Sequence, residues 1–339
     1  MNRLPTALIL IALMKAGGEE FSGEPYFLGS SVANNGTSGA LPSGLHTATH
    51  FLDFPGDFGE GKTFRLELAN LPVFGGLSQT WEGALGYALD ERTHMTAFGQ
   101  LVTTPDIELR PLLRGSHEDR LNDPRFRPEA CDGCYMMTDK VYLVSLNFMR
   151  KYDWEFPRLD IYSRPIPIQF SAGLTTKYYF EELEGGEYTA QNMNLDAGAS
   201  MKFFWGWNPI EKTSDRNIKL QFSGFEIIPT KQQSEFGSVL VYEDMTYRWR
   251  MSASWEEGFP QWNSTISAGV TQKSEGSEYP GVGLEWGVKQ RLFVRAGMDN
   301  DFISAGASLA WRWASVHYAF RYHELGSSLY QVSGQVQWP

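Results

Sequence analysis

Two cysteines in 339 residues rule out a fold built on disulfides. No apolar run reaches the roughly 18 residues that a membrane-crossing helix needs, and mean hydropathy is −0.33. Basic residues are short as well: 29 Lys and Arg stand against 40 Asp and Glu, for a net charge of −11. With no basic stripe in the chain, nucleic acid is excluded as a partner. A Gly-rich phosphate loop, an HExxH zinc helix and a usefully spaced acid pair are also missing. Neither an enzyme nor a cofactor is expected.

What the chain does have is alternation. Val316, Tyr318, Phe320 and Tyr322 share one parity, and His317, Ala319, Arg321 and His323 the other. A turn at Glu324–Ser327 follows. Then Tyr330, Val332, Gly334, Val336 and Trp338 alternate with Gln331, Ser333, Gln335 and Gln337. Side chains of a strand point to opposite faces in turn. One apolar face and one polar face over about ten residues, with aromatics near the ends, is the pattern of a membrane β-barrel strand. Only every second residue then meets lipid, which reconciles a negative hydropathy with a membrane protein.

From Lys62 onward about fourteen such segments follow one another, and the chain is read as an all-β transmembrane antiparallel barrel of about fourteen strands. A soluble sandwich or propeller also has many short strands. It lacks the Trp, Tyr and Phe on one face and Arg, Glu, Lys and Gln on the other. Only the segment near 94–102 resists assignment of its faces, and Gly224 is expected to mark a bulge. An even strand count puts both termini on the periplasmic side. The links Asp90–Thr93, Lys289–Arg291 and Arg312–Ser315 are then periplasmic turns, and Thr103–Asp139 is the longest outer loop. By the same parity two periplasmic links, about 152–164 and 206–217, are unexpectedly long. Val239–Tyr242 falls in an outer segment or extends the eighth strand.

Three units result. Residues 1–18 read as a signal peptide, with the basic start Met1-Asn2-Arg3, an apolar stretch Leu4–Met14 and small residues at Ala16–Gly18. Residues 19–60, rich in Gly, Ser, Asn, Thr and Pro, read as a segment folded into the lumen as a plug. Residues 61–339 form the barrel. The expected place is the bacterial outer membrane, with membrane lipid as the first partner.

Several groups are candidate sites. Cys131 and Cys134, in a Cys-Asp-Gly-Cys run, read as a small structural disulfide in an exported loop. A redox pair wants a βαβ context, and a zinc site wants two more ligands, with only His117 near. Arg248, Arg250, Glu285, Arg295, Arg312, His317, Arg321 and His323, with Lys177, Lys202, Asp196 and Glu67, fall on lumen-facing parities. They read either as a basic patch for a carboxylate head group or as charges that pair with one another and with the plug. A Ser-His reading of His317 and His323 with Ser327 and Ser328 has no orienting partner. Phe51, Leu52, Phe54 and Phe58, with Tyr26, Phe27 and Leu28, either line a pocket between plug and wall or anchor the plug.

Some of these residues carry a family resemblance. The run Tyr318-Ala319-Phe320-Arg321-Tyr322-His323-Glu324-Leu325-Gly326 resembles the penultimate-strand motif of PorV/PorQ-type outer-membrane proteins, distant relatives of the FadL long-chain fatty-acid transporters. Arg295-Ala296-Gly297-Met298 and Ser304-Ala305-Gly306 look like the same family. Its plug motif usually ends Asn-Pro-Ala-Gly-Leu; here Leu41-Pro42-Ser43-Gly44-Leu45 lacks the Asn and the Ala. The chain also ends Trp338-Pro339 rather than on the terminal aromatic that the barrel-assembly machinery usually reads.

The resemblance implies two jobs. FadL-like members are similar to diffusion channels for hydrophobic molecules, and PorV-like members act as accessory subunits of type IX secretion that dock cargo. The leading expectation is transport of a hydrophobic small-molecule ligand. Docking of secretion-system proteins is the alternative, and a structural or adhesive surface barrel is the third.

Overall fold

The computed structural model describes residues 31–35, 37, 40, 47–56, 64–73, 78–109, 135–156, 166–183, 188–205, 215–228, 231–236, 239–244, 247–274, 280–299, 302–323 and 328–338. Sixteen strands appear among them. They are β1 (Phe64–Val73), β2 (Ser78–Ala88), β3 (Thr93–Leu109), β4 (Tyr135–Phe156), β5 (Ile166–Leu183), β6 (Tyr188–Trp205), β7 (Arg216–Phe225), β8 (Lys231–Phe236), β9 (Val239–Asp244) and β10 (Arg248–Phe259). Then come β11 (Ser264–Lys273), β12 (Gly281–Val288), β13 (Leu292–Met298), β14 (Phe302–Ala310), β15 (Ala314–His323) and β16 (Ser328–Trp338).

Fourteen of these close into one antiparallel barrel, β1 to β7 followed by β10 to β16, with β16 returning to β1. Closure matters physically. Every one of these fourteen strands has a partner on both sides, so the barrel wall has no free edge strand. Following the register once around from Trp205 on β6 leads back to Gln191 on the same strand, a stagger of fourteen residues. Fourteen residues of stagger over fourteen strands tilts the strands by about 35° from the barrel axis, given ordinary strand rise and spacing.

The alternation read from the sequence sorts the side chains as expected. Leu68, Trp81, Val144, Leu174, Met193, Leu284, Ile303 and Val332 point outward and are exposed. Serines, threonines, glutamines and charged residues on the other parity are buried inside. An outer surface this apolar is suited to lipid rather than water. No helix among the described residues is long and apolar enough to cross a membrane.

Several expectations need correction. Arg312 does not face the lumen. It is exposed in the turn between β14 and β15, where Trp311 N–H donates to the Ala314 carbonyl and the alternation has already stopped at Ala310. Gly224 keeps register with both neighbouring strands; the chain instead departs two residues later, at Glu226 with φ of 56°. The register shift lies between Thr104 and Ile107 on β3. Val239–Tyr242 does not extend the eighth barrel strand. It belongs to β9, which with β8 forms an extra hairpin attached to the start of β6.

The long link near 152–164 is partly strand, because β4 pairs with β5 as far as Phe156 opposite Ile166. Residues 1–18, Leu41–Leu45, Cys131, Cys134 and Ser327 lie outside the described residues, as does the side chain of His323.

Candidate functional site

A barrel of this width cannot be filled by its wall side chains alone. The described residues between 31 and 56 are all buried and bond to inward-facing wall residues. Asn35 Nδ2 donates to Gln331 Oε1 at 2.7 Å, and Ala48 N–H to Gln335 Oε1 at 2.8 Å. Glu67, fully buried, accepts from the Thr49 N–H and hydroxyl at 2.9 Å each and from Ser333 Oγ at 2.8 Å. A buried carboxylate needs such donors, because it has left water behind.

Backbone also meets backbone. Gly173 and Gly198 are register partners on β5 and β6, and both face Pro55–Gly56. A Cβ at Gly198 would lie 2.6 Å from the Gly56 nitrogen. Ser171 Oγ donates to the Gly56 carbonyl at 2.6 Å, and Asn147 Nδ2 to the Pro55 carbonyl at 3.3 Å. Gly297 on β13 gives the same close approach to Thr37. Only glycine leaves room for two main chains this near.

Several inward charges are paired. Arg250 reaches Asp53 Oδ1 at 3.3 Å and lies against the rings of Phe54 and Phe225. Asp53 also accepts from Ser31 N–H and Asn34 Nδ2. Arg248 pairs with Glu226 at 2.7 Å and Lys177 with Asp196 at 2.5 Å. Arg295 Nε donates to Glu285 at 2.6 Å and its NH1 to Ser308 Oγ at 2.6 Å. Asp299 lies 3.3 Å from Lys273 Nζ and 3.8 Å from Arg321. These pairs fit the second reading, in which inward charges pair with one another and with the inner segment. A buried charge stripped of its partner is costly, and the cations are engaged in offsetting that cost.

His317 is fully buried, with Ser308 Oγ 2.8 Å from Nδ1 and Ser315 Oγ 2.9 Å from Nε2. Both ring nitrogens meet hydroxyls, so no carboxylate orients the ring. Ser328 opens β16, and its side chain lies outside the described residues.

Three adjacent strands break the polar rule for the lumen. Ala84 on β2, Phe98 on β3, and Leu143 and Met149 on β4 point inward and pack with Ala48, Phe51 and Leu52. The Phe51 and Phe98 rings meet edge to face at 6.2 Å. This is the apolar contact between inner segment and wall that Phe51 and Leu52 suggested. The wall half was missed, because Phe98 and Val102 sit on the parity that elsewhere carries polar residues. That is also why the faces of 94–102 resisted assignment, and the irregularity was itself the available signal.

No family model matches the sequence, and no curated protein matches it. Among solved structures, the chain is similar to the toluene transporter TbuX of Ralstonia pickettii, at 11% identity and a TM-score of 0.45, covering 93% of this chain and 100% of that one. It is similar to the toluene transporter TodX of Pseudomonas putida at 9% identity and a TM-score of 0.47, covering 91% and 97%. A Pseudomonas aeruginosa FadL homologue gives 11% identity and 0.44, covering 91% and 98%. With no family model matching, the PorV/PorQ-type resemblance rests on its motifs alone.

Proposed function

We propose that this barrel sits in the bacterial outer membrane and transports hydrophobic small molecules, with the segment around 31–56 acting as a lumenal plug. One observation carries the reading. A barrel interior is polar by default, yet here the inward faces of β2, β3 and β4 carry Ala84, Phe98, Leu143 and Met149 against Phe51 and Leu52. Water is a poor occupant of such a surface, and an apolar solute displaces it favourably. Much of the rest of the lumen is polar and hydrogen bonded or ion paired, and so offers an apolar solute little.

The test is uptake of a radiolabelled apolar solute by cells whose own hydrophobic porins are deleted. Expression of the native chain raises uptake, and Phe98→Arg abolishes the gain while the barrel still folds, as judged by its heat-dependent gel mobility. Uptake by Phe98→Arg equal to that of the native chain refutes the proposal.

A further inference from the structure

Level with Leu143 and one inward-facing position from Ala84 and Phe98, the same wall carries hydrogen-bond acceptors that the fold does not use. Glu82 on β2 and Gln100 on β3 are register partners, and the next rung inward is Ala84 opposite Phe98. Gln100 Nε2 donates to Glu82 Oε1 at 2.7 Å. In this arrangement the amide donates, and the Gln100 carbonyl oxygen is left without a partner among the described residues. Glu82 Oε2, Gln100 Oε1 and Thr80 Oγ1 are all buried with no hydrogen-bond partner among the described residues. Thr80 is 0% exposed, and Glu82 and Gln100 are 5% exposed. Thr80 and Glu82 occupy successive inward positions, about 7 Å apart along the strand, and Gln100 stands across from Glu82 at about 5 Å.

Buried polar atoms are normally satisfied, and several unsatisfied together need an explanation. Among the described residues no cation pairs with Glu82. The charges acting on Glu82 are those of Glu67 and Asp53, both negative. Asp53 is already held by Arg250, and Glu67 by Thr49 and Ser333.

We propose that Thr80, Glu82 and Gln100 form a recognition site for an organic ammonium group, whose apolar body lies along Ala84, Phe98 and Leu143. A primary ammonium offers three donors and a positive charge. The site offers three acceptors and a negative surround. A carboxylate is a poor occupant, since it brings further acceptors and a like charge. This rests on the transport reading above and narrows its substrate class to apolar amines.

The experiment is calorimetric titration of the purified full-length barrel in detergent with octylammonium, octan-1-ol and octanoate. Octylammonium is expected to bind at least tenfold more tightly than octanoate, with octan-1-ol between them. Glu82→Gln and Gln100→Leu should each remove most of that preference and leave octan-1-ol binding within about twofold. Retained heat-dependent gel mobility shows that the variants fold, and Thr80→Val provides a third, milder variant. Octanoate binding as tightly as octylammonium, or an amine preference that survives all three substitutions, overturns this inference but leaves the transport reading standing. Failure of all three probes to bind overturns both.

Discussion

Gly198→Val tests whether the inner segment is truly seated on the wall. The new Cβ would stand 2.6 Å from the Gly56 nitrogen. Ordinary contacts between heavy atoms fall at about 3.5 to 4.0 Å, so Pro55–Gly56 must withdraw by about 1 Å or more. Two hydrogen bonds cannot survive that shift: Ser171 to the Gly56 carbonyl and Asn147 to the Pro55 carbonyl. Each contributes about 1 kcal/mol net, so the seated state loses about 2 kcal/mol, or about thirtyfold in its equilibrium against an unseated one. The wall should tolerate the change, because β5 and β6 pair over sixteen register positions, from Ile168–Phe203 to Leu183–Tyr188. The assay is single-channel conductance in a planar bilayer. The native protein is expected to be nearly closed, and Gly198→Val to show frequent openings to a larger conductance. Native-like quiet records from a correctly folded Gly198→Val barrel refute the idea that this segment occludes the lumen.

Other outcomes follow from the buried charges. Glu285→Ala strands Arg295 inside the wall and should cost about 3 to 5 kcal/mol, seen as a lower temperature of heat-induced gel mobility change; an unchanged transition argues against the pair. Arg312→Ala, in an exposed turn, should shift the same transition by no more than about 0.5 kcal/mol, and a large shift would return this residue to the lumen. Asp53→Asn and Arg250→Ala should each open the channel, and the double variant should be no worse than the poorer single one, because they break one contact. Additive opening in bilayer records would show that the two act separately.

The barrel was legible because its signal is geometric. Every barrel strand with a clear apolar parity, from Phe64–Leu68 to Tyr330–Trp338, lies where the alternation puts it. The turn parity held as well: the links before β3, β13 and β15 are short and share one end of the barrel. What alternation cannot show is where it stops. Arg312 was assigned to a face by continuing a period past Ala310, into a turn that has no faces. Val239–Tyr242 is a run of four apolar residues, and such a run does not say which strand it will pair with. Its pairing with β8, rather than with a wall neighbour, depends on contacts distant in sequence.

The site was less legible for a related reason. Parity predicts polar residues inside, so an inward phenylalanine registers as noise and an inward glycine as nothing. Gly173, Gly198 and Gly297 share the lumen parity with Ser171, Ser200 and Arg295, and they mark where another backbone arrives. The charged residues, conspicuous in the sequence, are largely tied to one another: Arg250 to Asp53, Arg295 to Glu285, Lys177 to Asp196. The two sides of the lumen therefore differ in kind. From β10 to β15 the inward charges hold one another and the inner segment. From β2 to β4 the wall presents apolar carbon at Phe98 and Leu143 beside unclaimed acceptors at Thr80, Glu82 and Gln100. A passing molecule gains free energy only from groups the fold has left unsatisfied. On the transport reading proposed above, an apolar solute's path runs along β2, β3 and β4, on the side where the sequence showed the least.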